Sequence, residues 1–393
     1  MFFLSTYSQK RHFLILVLVC ALLGVSVLLP SVVHADGGAP NLAYVSGTAG
    51  GISVVDVLQQ KVTRQIAVQG NPQTLVLSVD GRTLAVTQPD LGQITILAAK
   101  TAQVICTAHI PGQPSLLTFD PGTNTLFAAA TDANQVHAID PLTCASRHVF
   151  DTHSRVTGIA VSIVGNGIAG GSGNQLWVAT MDTLTLFNVS GSQLATLSVA
   201  GGPQYLCIPS GPTAYVTTRA GTLVAIDVNS RQSTPPLLTG GNFGLMDYDA
   251  TTGEVYVPDQ QHQRLDVLSS VRVNETPLRH EPERTLRFPA SPQSVAITSD
   301  GQLGFVALTN GDVIMLDVPG RQTIKTIAVG GHPRFVITGL YPSLISFTPQ
   351  QSLLYTFLDT LAHYGAAILI ALLAIALIVY DHLRIRRAKA KVS

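Results

Sequence analysis

Short apolar runs in which hydrophobic and polar residues alternate recur along residues 41–338, separated by turn-forming residues. Period-two runs bounded by Gly, Asn, Asp and Pro predict β-strands. The runs come in a fixed order. A small residue and a proline open a strand, an Asp-Gly type of turn follows, and further apolar runs complete the unit. Pro72, Pro114, Pro203, Pro292 and Pro333 mark the openings, spaced by about 42 residues or about twice that, as expected of a propeller array. In the doubled gaps, Arg155-Val156-Thr157-Gly158-Ile159-Ala160-Val161 and Phe243-Gly244-Leu245-Met246 stand in place of the proline opening.

One unit shows the pattern. Asn71-Pro72 leads a strand over 74–77, Val79-Asp80-Gly81-Arg82 turns, and strands follow over 84–87, 94–97 and 104–109. Asp-Gly between apolar runs is a hairpin signal. Strands with so few charges are expected where both faces of a sheet are covered. The first unit offers strands over 41–46, 51–57 and 62–68 but no leading strand. His332-Pro333-Arg334-Phe335-Val336-Ile337-Thr338 supplies one at the far end of the repeat. Openings near 72, 114, 156, 203, 244, 292 and 333 then count seven. The predicted fold is all-β: a seven-bladed β-propeller closed by a shared first and last blade, plus a C-terminal transmembrane helix.

Third strands end alike, in Val54-Val55-Asp56, Ala138-Ile139-Asp140, Ala225-Ile226-Asp227 and Met315-Leu316-Asp317. These aspartates are read as structural, accepting backbone N–H groups of the next turn. Leu42-Ala43-Tyr44-Val45-Ser46, Ala214-Tyr215-Val216-Thr217-Thr218 and Glu254-Val255-Tyr256-Val257 resemble the second strand of YVTN-type propeller repeats. Ile66-Ala67-Val68-Gln69-Gly70 and Ile327-Ala328-Val329-Gly330-Gly331 resemble the exit of the same repeat. The resemblance covers roughly residues 41–338 and implies a propeller in an extracytoplasmic setting. Surface-layer proteins, secreted binding modules and domains of redox enzymes share it, so it implies no single activity. Two stretches depart from the pattern. The glycine-rich segment 165–173 reads as a loop inside the fourth unit, and 269–283 (SSVRVNETPLRHEPE) reads as a solvated loop in the sixth.

The chain ends carry membrane signals. Lys10 and Arg11 precede a predominantly apolar run over 13–29, Pro30 breaks it, and Val33-His34-Ala35 offers a cleavage site, so residues 1–35 read as a signal peptide. Residues 36–341 are assigned to the propeller, 342–360 to a stem, 361–380 to a transmembrane helix and 381–393 to a basic cytoplasmic tail. A 20-residue helix spans about 30 Å. Arg384, Arg386, Arg387, Lys389 and Lys391 behind it keep the tail inside by the positive-inside rule. The expected localisation is the cell membrane, single-pass type I, with the propeller outside.

Charge narrows the function classes. Charged residues make up 12% of the 393, and 23 basic residues balance 23 acidic ones, so no general field draws nucleic acid. After loss of the signal, Cys106, Cys144 and Cys207 remain. They read as three separately placed small core residues, with a Cys106–Cys144 bridge between neighbouring blades as the alternative. No CxxC, CxxCH, HExxH or GxSxG pattern occurs, and 165–170 matches GxGxxG only formally, without a strand-to-helix transition. No cofactor, metal set or catalytic residue is assigned. Trp177 is read as packing.

Loops at one face of a propeller are the usual place for a ligand. The residues assigned to a ligand- or partner-binding face are Asp132, His153, Arg155, Arg219, Asp259, His262, His332 and Arg334. His153, His262 and His332 occupy comparable loops and could converge near the axis. The function expected is a membrane-anchored extracytoplasmic module that binds a protein or a surface polymer. The alternative is a propeller enzyme or redox-complex subunit holding a metal or small ligand in the central channel.

Overall fold

The computed structural model describes residues 42–338, except 79, 164–172, 210 and 275. The segments read above as signal peptide, stem, transmembrane helix and basic tail, and nearly all of the glycine-rich segment, lie outside the described residues. Among the described residues no helix is long and apolar enough to cross a membrane.

Seven four-stranded antiparallel sheets follow one another along the chain. Blade 2 joins Leu75–Leu77, Thr83–Gln88, Gln93–Ala98 and Val104–His109, and blades 3 to 7 repeat that order from Pro114, Val156, Pro203, Asp247 and Pro292. Blade 1 is composite. Phe335–Thr338 is its innermost strand and pairs antiparallel with Leu42–Thr48, which pairs with Gly51–Asp56 and then Lys61–Ile66. The predicted count and the shared closing blade are both present.

The core is divided into seven apolar clusters, each between two neighbouring blades. Strand alternation explains this. In Thr125–Ala130 every residue is buried, but Leu126 and Ala128 pack toward blade 2 whereas Phe127 and Ala129 pack toward blade 4. Successive side chains point to opposite faces of a sheet, and here both faces are interfaces. The outermost strands have only one sheet neighbour and carry polar residues, as Lys61–Ile66 and Gln322–Ala328 show. Trp177 is fully buried between blades 4 and 5, as its packing role requires.

The closing strand uses the same alternation. Val336 packs with blade 7 and Ile337 with blade 2. One four-residue strand therefore ties three blades together.

The five marker prolines are all buried. At the opening of an innermost strand no ladder N–H is required, so proline fits. The two blades without the marker carry a glycine that does a different job. A Cβ on Gly158 would stand 1.9 Å from the Gln204 carbonyl oxygen, and one on Gly244 would stand 2.4 Å from that of Gln293. These glycines let the innermost strand of the next blade approach backbone to backbone, and Leu245 forms a parallel bridge to Ser294 there.

The structural reading of the third-strand aspartates holds. Asp56, Asp140, Asp227 and Asp317 accept N–H groups of Gln59, Leu142, Asn229 and Gly320 at 2.8–3.0 Å. Two other readings are corrected. Cys106 and Cys144 form a disulfide across the interface of blades 2 and 3, so among the described residues only Cys207 is a free cysteine, and it is buried. The segment 269–283 is not simply solvated. Val271 and Val273 pack against the cluster of blades 5 and 6, the Tyr215 hydroxyl accepts the Val271 N–H at 2.8 Å, and Thr213 Oγ1 donates to the Val271 carbonyl at 2.8 Å.

Two stability predictions follow from closure and cross-linking. Ile337→Ala is expected to cost about 2–5 kcal/mol in denaturant unfolding. Ile324→Ala, on an outer strand where Ile324 is 39% exposed, should cost under about 1 kcal/mol; equal costs would show that closure is not the constraint. The bridge closes 38 residues, so replacing Cys106 and Cys144 by serine should remove about 2–4 kcal/mol, read from denaturant midpoints with and without reductant.

Candidate functional site: the channel mouth

The innermost strands of blades 2 to 6 and Phe335 wall a central cavity of about 170 Å³. Its lining is mostly Leu, Ile, Val, Met and Phe, with Tyr205, Cys207, Asp247 and Tyr248 as the main polar side chains beyond threonines. At the end where the innermost strands begin, the cavity meets a wider mouth of about 480 Å³. Thr74, Leu116, Tyr205, Leu245 and Phe335 line both spaces, so mouth and channel are continuous.

Arg155, Arg219 and Arg334 line the mouth, and no acidic residue does. Arg155 and Arg334 each immediately precede an innermost strand, and Arg219 follows the second strand of blade 5. Two are held in place by the preceding blade. Arg155 Nε donates to the Thr131 carbonyl at 3.1 Å, and an Arg219 Nη donates to the Met181 carbonyl. No carboxylate pairs with any of the three among the described residues, and Arg64 likewise bonds only to backbone carbonyls. A guanidinium carries five N–H donors, so each of the three retains donors directed to solvent or to a ligand.

The other assigned residues go elsewhere. Asp132 accepts the Gln113 N–H at 2.9 Å, securing the opening of blade 3. Asp259 is fully buried and receives Arg264 Nε at 3.2 Å and His262 Nδ1 at 2.6 Å, a structural ion pair within blade 6. His153 lies beside Asp151 in a separate cleft of about 220 Å³. His332 Nδ1 lies 3.4 Å from the Thr309 carbonyl. The three histidines therefore do not gather in either axial space. Among the described residues no group of three or more His, Cys, Asp or Glu is placed to hold a metal ion.

Asp247 was not among the assigned residues. It lies deep in the channel on the innermost strand of blade 6, and one carboxylate oxygen accepts the Ile297 N–H of blade 7 at 2.7 Å. Part of its surface faces the lumen, yet protein surrounds that lumen. Burial, against which the Ile297 and Tyr248 N–H groups act only partly, raises its pKa to about 7, with nearby Asp249 adding to the rise. Burial also pushes the Cys207 thiol well up, and Asp247 contributes. Burial raises Tyr205 too. Cys207 and Tyr205 thus keep their protons at neutral pH, and Asp247 loses its own across neutrality.

Comparison with known proteins supports the fold alone. No family model and no curated protein matches the sequence. Among solved structures, the β-propeller domain of Cps50 (Swd1) from Myceliophteria thermophila aligns with a TM-score of 0.58 and 13% identity, over 69% of this chain and 90% of that one. Apo AztD from Citrobacter koseri aligns at 0.55 and 13% identity, over 76% and 99%. The dihydro-heme d1 dehydrogenase NirN, in complex with DHE, aligns at 0.54 and 17% identity, over 77% and 67%. The class defined by fold and site is a seven-bladed β-propeller with an arginine-lined channel mouth.

Asp247 gives a pH signature. Unfolded, its carboxyl titrates near 3.9, and folded at about 7. Between those values the unfolded chain has lost a proton that the fold still holds, so stability falls as pH rises and levels off above the upper value. Asp247→Asn keeps an acceptor for the Ile297 N–H and removes the titration. The variant should match the parent near pH 4 and exceed it by about 4 kcal/mol at pH 8, measured by denaturant unfolding across that range. Parallel profiles would disprove the raised pKa.

Proposed function

We propose that the protein is a membrane-anchored, extracytoplasmic binding module of the YVTN-type propeller kind, which engages acidic groups of a protein or surface polymer through its channel mouth. The observation that carries this reading is the cluster of Arg155, Arg219 and Arg334 around one concavity, unpaired with carboxylates and free of acidic neighbours in its lining. Arginine is suited to carboxylate and phosphate because its planar fork makes two parallel charge-assisted hydrogen bonds. The seven-sheet ring presents these groups from a scaffold whose backbone is fixed on every side.

Support for an outside location comes from separate features. Residues 1–35 read as an export signal, and 361–380 with the basic tail read as a stop-transfer helix. The Cys106–Cys144 bridge suits an oxidising compartment. The rival reading, an enzyme or redox subunit with a metal in the channel, finds no convergent donor set among the described residues.

One experiment tests both mouth and topology. Intact cells or protoplasts displaying the full chain should bind fluorescent poly-L-glutamate. Replacing Arg155, Arg219 and Arg334 by glutamine should weaken that binding at least about tenfold, and external protease should remove propeller and binding together. Binding that ignores the substitutions overturns the mouth assignment; a propeller protected from protease overturns the topology.

A further inference from the structure

The mouth is cationic, and the space directly beneath it is lined mainly by apolar side chains, with Tyr205, Asp247 and Tyr248 among them. Leu116, Leu245 and Phe335 form the wall shared by mouth and channel, and leucine, isoleucine and valine side chains continue below them. A ligand that satisfied the arginines alone would leave this apolar lumen open to water. A ligand with an apolar extension would cover both surfaces at once.

We infer that mouth and channel together form a site for a small amphiphilic anion, its carboxylate or phosphate head on Arg155, Arg219 and Arg334 and its apolar chain in the lumen. The inference rests on the mouth being an anion site but extends it to a ligand class. Three observations carry it. The guanidiniums lack carboxylate partners, and Arg155 and Arg219 are tethered to blade carbonyls so that their remaining donors stay at the rim. The two spaces share walls, with about 480 Å³ at the head position and about 170 Å³ at the chain position. Burial raises Tyr205 and Cys207, which stay neutral, and brings Asp247 to about 7, so that its carboxyl is largely protonated only below neutral pH. An inserted alkyl chain therefore meets little fixed negative charge under mildly acidic conditions.

The geometry favours a short single chain over a peptide. A backbone entering the lumen would bring N–H and C=O groups that must each find a partner, at a cost of several kcal/mol per group left unpaired. An alkyl chain has no such groups. Each methylene taken from water into the lumen should strengthen binding about fourfold, which gives the proposal its clearest readout.

The test uses the purified full chain in nanodiscs, with isothermal titration calorimetry of acetate, inorganic phosphate, hexanoate, octanoate, octyl phosphate and octyltrimethylammonium. Octanoate should bind about tenfold more tightly than hexanoate, acetate and inorganic phosphate should bind weakly, and the ammonium compound should not bind. The protein with Arg155, Arg219 and Arg334 replaced by glutamine, in the same discs, should lose the octanoate signal and serves as the matched control for partition into lipid. Leu245→Trp, checked for folding by its melting curve, should abolish the dependence on chain length. Octyl phosphate binding above octanoate assigns a phosphate-ester head, as in a lipid; the reverse order assigns a carboxylate. Equal binding of hexanoate and octanoate, or equal binding of the cationic compound, overturns the inference. Poly-L-glutamate binding with a flat chain-length series sinks this inference and leaves the rim reading standing, whereas octanoate binding without polyglutamate binding keeps the anion site and removes only its polymer ligand.

Discussion

Each middle strand in this protein buries both of its faces, and each face belongs to a different neighbouring blade. Leu126 and Phe127, adjacent in sequence, serve opposite interfaces. No blade can therefore satisfy its apolar residues alone, and a linear row would leave two large faces in water. The ring must close, and it closes through Phe335–Thr338 on Leu42–Thr48. Val336 and Ile337 then complete clusters on both sides of the joint. The axial cavity follows from this closure, because the radius at which seven twisted sheets meet leaves their innermost strands unable to touch across the axis.

Much of this architecture was legible because it is written in local backbone chemistry. Prolines sit where a strand opens and no N–H is needed, and aspartates sit where a turn needs an acceptor. Such signals recur in several blades, five with the proline and four with the aspartate, irrespective of tertiary context. The blades without a proline were legible only in part, since Gly158 and Gly244 act through distance to a neighbouring strand and not through their own turn. The disulfide was misjudged for a related reason. Cys106 and Cys144 are separated by 38 residues, close to one blade period, which places them on facing positions of adjacent blades. That spacing was the available signal. In the loop of blade 6, the charged residues dominated the reading and hid Val271 and Val273, which pack.

The candidate site shows the same division. Arg155 and Arg334 hold equivalent positions before innermost strands, and Arg219 ends a second strand on the same side, so topology alone puts them on one face. That they share one concavity depends on ring radius and side-chain length, which sequence spacing does not encode. His153, His262 and His332 occupy loops of the same general kind, yet local partners take two of them and a separate cleft takes the third. Asp247 left no trace in the repeat, because blade 6 lacks the marker that would have set its register.

How the molecule distributes charge gives the mouth its meaning. Acidic side chains elsewhere are tied to turns or to arginine: Asp140 accepts the Leu142 N–H and pairs with Arg147, and both interactions hold its carboxyl below the ordinary range. Asp259 is enclosed with Arg264 and His262. In a chain with only 12% charged residues, gathering three guanidiniums at one opening without a carboxylate runs against that habit. Like charges at close range repel, and an apolar lumen beneath them screens less than water does. Backbone carbonyls of Thr131 and Met181 offset part of this for two of the three. The remaining donors face solvent or, in the reading proposed above, a bound anion.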